Sequence, residues 1–276
     1  MKLTILGLGT MTGAILTGAL DAGAVRAEDV TATTRSASSA AAAAERHGVR
    51  VLATEKDADA NRAAVAEADV VLLGVKPKDI AAAAREVADA LPERAVVVSV
   101  AAGVTAATLA AVLRPGQPLV RTMPNTPLTV GSGVVGLAPT ATATDAHVRA
   151  VEALFAGSGL AVPVTEEQLP AVVAAAGSAP AYVFLLAEAI TAHARQLGLE
   201  GEAAEAMAAA TVKGAGLMLE RGDRTAEQLR RAVMSPGGTT ERAIATFQEG
   251  GFEGLVARAM DAAADRDRQM GREFGV

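Results

Sequence analysis

The chain has 276 residues, a formal net charge of −6, 51% hydrophobic and 2% aromatic residues, and no cysteine. That length suits two modest domains, each able to bury a core. The acidic balance argues against a nucleic-acid partner, which needs a basic stripe. Missing thiols exclude disulfides and cysteine nucleophiles, and His47, His147 and His193 lie too far apart in sequence for a zinc site.

After Lys2 the chain carries no charge through residue 20, and Ala22-Gly23-Ala24 loosely resembles a signal cleavage site. Gly7, Gly9 and Gly13 interrupt that run at turn positions, so a cytoplasmic chain is expected rather than a secreted one. Leu3 to Leu6 reads as the first strand. Gly7-Leu8-Gly9-Thr10-Met11-Thr12 then opens a helix whose N-terminal amides suit a pyrophosphate, although Thr12 replaces the third glycine of the dinucleotide fingerprint and crowds helix against strand. The second strand, Val30 to Thr34, ends in Thr33-Thr34-Arg35-Ser36 with no acid for a ribose 2′-hydroxyl. A guanidinium among hydroxyls suits a 2′-phosphate, so NADPH is favoured and NADH is the less preferred possibility. Ser36 is equally a good helix cap. His47, between Arg46 and Gly48, reads as a cation at a helix C-terminus.

Further β-branched runs follow at crossover spacing: Val49 to Leu52, Val70 to Val75, Ala95 to Val100 and Leu119 to Met123, with Val134 to Ala138 and Leu160 to Val164 beyond them. The pattern is that of a parallel α/β sheet over residues 1–164. Ligands in such sheets bind outside the carboxyl ends of the strands, which points to Val75-Lys76-Pro77 and Ala101-Ala102-Gly103.

Residues 165–276 read as all helical. Gln168 to Ala187 is uncharged but broken by Pro170, Gly177 and Pro180, so a buried helix pair is expected there and no membrane partner. Thr225 with Gln228 forms a capping box for a helix from Ala226 to about Val233. Ser235-Pro236-Gly237-Gly238-Thr239-Thr240 separates two helices, and its backbone amides suit a carboxylate; an ordinary helix-to-helix turn explains the segment equally well.

At this point the sequence resembles the pyrroline-5-carboxylate reductase family along nearly its whole length. The motifs that carry the resemblance are Gly7-Leu8-Gly9-Thr10-Met11, Val75-Lys76-Pro77, Ala101-Ala102-Gly103-Val104, Arg121 to Pro127, Gly177 to Tyr182 and Ser235 to Thr240, in that order. The resemblance implies a Rossmann-like N-terminal domain, an all-α C-terminal dimerisation domain, and a site shared across a homodimer or higher homo-oligomer. It implies reduction of 1-pyrroline-5-carboxylate, a small imino acid, to proline in amino-acid biosynthesis.

Residue by residue, it places Leu6, Gly7, Leu8, Gly9, Thr10, Met11, Thr34, Ser36, Gly74, Val75, Lys76, Pro77, Val100, Ala101 and Ala102 against the cofactor, with Asn61 near the adenosine. Ser235, Gly237, Gly238 and Thr239 would hold the substrate carboxylate, and the Thr240 hydroxyl would approach the ring nitrogen. Four positions depart from the family pattern: Pro170, Val173, Ala176 and Ala179 replace Asp, Thr, Ser and Gly. The alternatives are a reductase of a related cyclic imine, a β-hydroxyacid dehydrogenase, and a protein that senses NADPH without turnover.

Overall fold

The computed structural model describes residues 1–274. Short β-branched runs form the strands β1 (Leu3–Leu6), β2 (Val30–Thr34), β3 (Arg50–Ala53), β4 (Val70–Leu73), β5 (Val96–Ser99), β6 (Leu119–Pro124), β7 (Gly133–Pro139) and β8 (Gly159–Pro163). They join in one sheet of order β3-β2-β1-β4-β5-β6-β7-β8. The helices between them are α1 (Thr10–Asp21), α2 (Ala37–His47), α3 (Ala60–Val65), α4 (Pro77–Val87), α5 (Ala106–Ala110) and α6 (Asp145–Phe155).

Alternation along the strands feeds two cores. Ile5, Val70 and Leu72 pack with Ile15, Leu16 and Phe155 on one face, while Leu6, Val71 and Leu73 pack with Ile80, Val97 and Leu109 on the other. Burial on both faces explains why the strands read as near-continuous apolar runs.

The sequence pattern suggests a parallel sheet, but β7 runs antiparallel to β6. Only residues 125–132 join them, including a 3₁₀ turn at Thr126–Val130. A parallel return needs a crossover of roughly a dozen residues or more, so this strand comes back alongside its predecessor.

Beyond β8 no strand occurs among the described residues. The chain continues as α7 (Leu169–Val172), a π-helical turn at Val173–Gly177, α8 (Ala179–Gln196), α9 (Ala203–Glu220), α10 (Ala226–Ala232), α11 (Thr239–Glu249) and α12 (Phe252–Glu273). The capping box at α10 forms as expected: the Gln228 amide donates to Thr225 Oγ1 at 3.2 Å and Thr225 N–H donates to Gln228 Oε1 at 2.8 Å.

By backbone contacts the chain divides into one unit of residues 1–177 plus the described residues from Ala263 onward, and a second unit of Ser178–Ala262. That division falls after the π-helical turn, whereas the change in sequence pattern falls at residue 164. Within the first unit α12 ends against the β5–α5 loop, where a Cβ on Gly103 would collide with Met270 Cβ.

Of the helix pair expected to be buried over Gln168 to Ala187, α7 buries Leu169, whereas α8 is left uncovered within a single chain. No residue of α8 is buried, and Phe184 and Leu185 are 65% and 66% exposed, with Val183, Leu186 and Ile190 also exposed. The stretch Glu166–Gln196 is long and apolar enough to cross a membrane by length and composition. An apolar face of this size on a single chain calls for a covering surface.

Candidate active site

The β1–α1 turn is built around Gly7. Its φ is +89°, and a Cβ there would lie 2.9 Å from both Val75 Cγ1 and Val75 N. Backbone geometry and the approach of the β4–α4 loop therefore both require glycine. The amides of Gly7 and Leu8 donate to Thr33 O at 3.1 and 2.9 Å, which ties the turn to the end of β2.

Thr12 explains how the turn works without its third glycine. Its hydroxyl accepts the Gly9 N–H at 2.9 Å and donates to Gly7 O at 2.9 Å, so the side chain stitches the turn that a glycine would leave open. The space comes from the neighbouring strand: a Cβ on Gly74 would overlap Thr12 Cγ2 and stand 2.6 Å from Gly7 O. The crowding expected between helix and strand is thus absorbed at Gly74.

The first α1 amide bonded back into the helix is Gly13, to Gly9 O at 2.8 Å. Thr10 and Met11 N–H remain open at the N-terminus, and nothing lies within 4 Å of a Cβ built on Gly9. Open amides beside a bare backbone are the requirements of a pyrophosphate seat, and the residues present fit a dinucleotide. A cavity of about 710 Å³ touches this turn at Leu8, Gly9 and Thr10 but runs between α1 and α2 as far as Arg46 and His47. Only its near end belongs to the site.

Asn61 apart, the other predicted cofactor residues lie at or just beyond the ends of β1, β2, β4 and β5. Leu6 is buried, and Thr34 closes β2 with its hydroxyl donating to Ser36 O at 3.1 Å. Ser36 caps α2, its Oγ accepting Ser39 N–H at 3.2 Å, while Arg35 projects into solvent. The cap reading of Ser36 is borne out. Val75 abuts Gly7, Lys76 is an exposed N-cap of α4, and Pro77 fixes that helix's first turn. Val100, Ala101 and Ala102 follow β5, where Ala101 N–H donates to Ser99 Oγ at 3.3 Å.

Asn61 lies in the first turn of α3, where its amide nitrogen donates to both Glu86 carboxylate oxygens at 3.0 and 3.2 Å and its buried Oδ1 has no partner among the described residues. His47 is the last residue of α2, as expected, and burial, then the charge of Arg46, lowers its pKa below that of a free imidazole.

In the second unit Ser235–Thr240 forms the turn into α11, with Gly238 as N-cap. Two of its amides are already committed: Gly238 N–H to Ser235 O at 2.9 Å, and Gly237 N–H to the Glu241 carboxylate at 2.7 Å. Thr239 and Thr240 N–H are left open at the helix start, because Arg242 is the first amide to bond back, to Gly238 O at 3.2 Å. The Glu241 carboxylate thus already occupies one amide of this turn. Thr240 is half-buried, whereas Ser235, Gly237 and Thr239 are exposed.

The four departures from the family pattern cluster at the junction before α8. Pro170 occupies the first turn of α7, Val173 and Ala176 lie in the π-helical turn, and Ala179 begins α8. The polar links nearby persist. Glu166 Oε1 accepts Arg121 Nη1 at 2.8 Å and Ala106 N–H at 2.7 Å. Asn125 donates to Ala176 O at 3.1 Å and accepts Val134 N–H at 2.8 Å.

Residues 166–270 match the family described as pyrroline-5-carboxylate reductase dimerisation, and residues 2–103 match NADP oxidoreductase, coenzyme F420-dependent. The pyrroline-5-carboxylate reductase of Pseudomonas aeruginosa is 37% identical across 99% of this chain and 98% of its own. A solved pyrroline-5-carboxylate reductase from Coxiella burnetii superposes with a TM-score of 0.90 at 36% identity, covering 98% of each chain. A Plasmodium falciparum pyrroline carboxylate reductase solved with NADP bound shares the fold, with a TM-score of 0.84 at 23% identity over 98% of each chain. With its dinucleotide turn, its helical second unit and this full-length similarity, the chain belongs to the pyrroline-5-carboxylate reductase family.

Proposed function

We propose that this protein reduces 1-pyrroline-5-carboxylate to proline with NADPH, in the cytoplasm and as a homodimer or larger homo-oligomer. The observation that carries the reading is the pair of open helix starts: Thr10 and Met11 N–H beside bare Gly9 for a pyrophosphate, and Thr239 and Thr240 N–H for a carboxylate. NADPH, when bound, supplies a hydride.

The chain's own residues position and polarise. Leu6 to Met11 seat the pyrophosphate, Thr34, Arg35 and Ser36 take the adenosine phosphate, and Gly74 to Pro77 with Val100 to Ala102 line the cofactor edge. Ser235, Gly237, Gly238 and Thr239 frame the turn that binds the substrate carboxylate. The hydroxyl of Thr240 orients the ring nitrogen, which holds the proton that completes the amine as C5 accepts the hydride. Such a reaction asks for placement rather than a covalent nucleophile, which suits a site without cysteine.

The test combines 1-pyrroline-5-carboxylate with NADPH and follows cofactor oxidation and proline formation together. Stoichiometric formation of both is expected, whereas cofactor binding without proline would leave a sensor and sink the proposal. In single-turnover hydride transfer Thr240→Val should lose roughly tenfold to a thousandfold in rate, the scale of one positioned hydrogen bond, with NADPH affinity unchanged. Thr239→Val keeps its backbone amide and should lose far less.

A further inference from the structure

The second strand carries no acid, yet a carboxylate stands at its end. Thr54 N–H donates to Thr34 O at 2.9 Å and Glu55 N–H donates to Arg35 O at 3.0 Å, so the chain leaving β3 stays paired with the chain leaving β2. This carries the Glu55 side chain to the start of α2, where Oε1 accepts the Ala37 N–H at 2.6 Å. Arg35, two residues before Ala37, makes no side-chain hydrogen bond or ion pair among the described residues, and its guanidinium is exposed.

In dinucleotide-binding folds this is the place where the adenosine ribose is read. An acid accepts its 2′-hydroxyl, whereas a cation takes its 2′-phosphate. This chain brings both groups there from different strands: Arg35 from the end of β2 and Glu55 from the end of β3. We propose that Glu55 is a specificity-determining residue that limits the protein's preference for NADPH over NADH. The inference rests on the dinucleotide reading of this strand end given above.

The argument is one of charge and competition. A 2′-phosphate reaching for Arg35 and the α2 amides meets a carboxylate that already holds one of those amides, and like charges at short range oppose each other. NADPH is held against this repulsion unless Glu55 releases Ala37 and swings into water, which its exposed position allows. A ribose with a free 2′-hydroxyl makes no such demand, and the carboxylate can accept its proton in a hydrogen bond. Arg35 and Glu55 therefore pull the cofactor preference in opposite directions.

Titration calorimetry of the full-length protein with NADPH and with NADH, in the absence of imino acid, tests this directly. Glu55→Gln keeps an oxygen for the Ala37 amide and removes the charge. NADPH should bind on the order of tenfold more tightly to this variant, NADH no more tightly than to wild type, and the NADPH gain should shrink as salt rises. Arg35→Ala should show the reverse, a selective loss for NADPH. A role confined to capping α2 would shift both cofactors alike along with the melting temperature, and equal shifts or an unchanged NADPH affinity would overturn the proposal. Because binding is read without substrate, a failure to make proline would count against the proposed reaction and leave this result standing.

Discussion

The two units differ most in what they do with apolar surface. In the first, the inner strands are buried on both faces and most of the large side chains lie out of water. In the second, α8 and α11 bury nothing, and α9 buries only Ala204 and Ala208. The first unit has a core of its own, whereas most of the large apolar residues of α8 and α9 are left exposed among the described residues. A helical segment of that kind draws its stability from a second copy, so its folding and its association are one equilibrium.

The largest expected effect comes from breaking that association. Phe184→Glu with Leu185→Lys should yield monomers by analytical ultracentrifugation and abolish proline formation. NADPH binding to the first unit should survive. A fully active monomer would refute the idea that the helices depend on a partner. A smaller loss should follow Gly74→Ala, which forces Thr12 and Gly7 apart and should cost about 1–3 kcal/mol, the usual scale of overpacking, with weaker NADPH binding. Adding Thr12→Ser removes the overlapping methyl and should recover part of the loss. The Gly7 carbonyl would still be crowded, so full recovery would show that Thr12 alone sets the fit.

The smallest effect concerns His47. Its folded-state pKa lies below the unfolded value, so the unfolded chain binds the proton more readily. Stability from this residue is present above about pH 6.5 and falls as pH drops through that value and then the folded pKa. His47→Gln should flatten that part of a melting-temperature profile, and an unchanged slope would remove the residue from the account.

The first unit was largely legible in the sequence because a doubly covered sheet writes itself as apolar runs, and β1 and β2 occupy the bounds expected of them. The reversal of β7 was harder to see, since direction leaves no mark on the residues of a strand; the short 125–132 link held the only clue. The role of Thr12 was half visible. Its crowding could be inferred, but the relief at Gly74 depends on two strands meeting in space. Glu55 passed unnoticed in a polar loop, although extending the parallel register of β2 and β3 past Thr34 and Ala53 leads to it. The exposure of α8 in a single chain agrees with the dimerisation domain that the family resemblance implies, since an apolar run looks the same whether its own chain or another copy covers it.

One feature of the fold bears on how the molecule is made. Gly103 sits just beyond the end of β5, and its bare face is filled by Met270, more than a hundred and sixty residues later in the sequence. A ribosome releases the sheet and its glycine turn well before it releases the residues from Ala263 onward, which belong to the same unit. The nascent nucleotide-binding unit therefore waits, with that seat empty, until the whole helical segment has emerged. Vectorial synthesis thus delays completion of the nucleotide-binding unit until the helices that must find a second copy are already out of the tunnel.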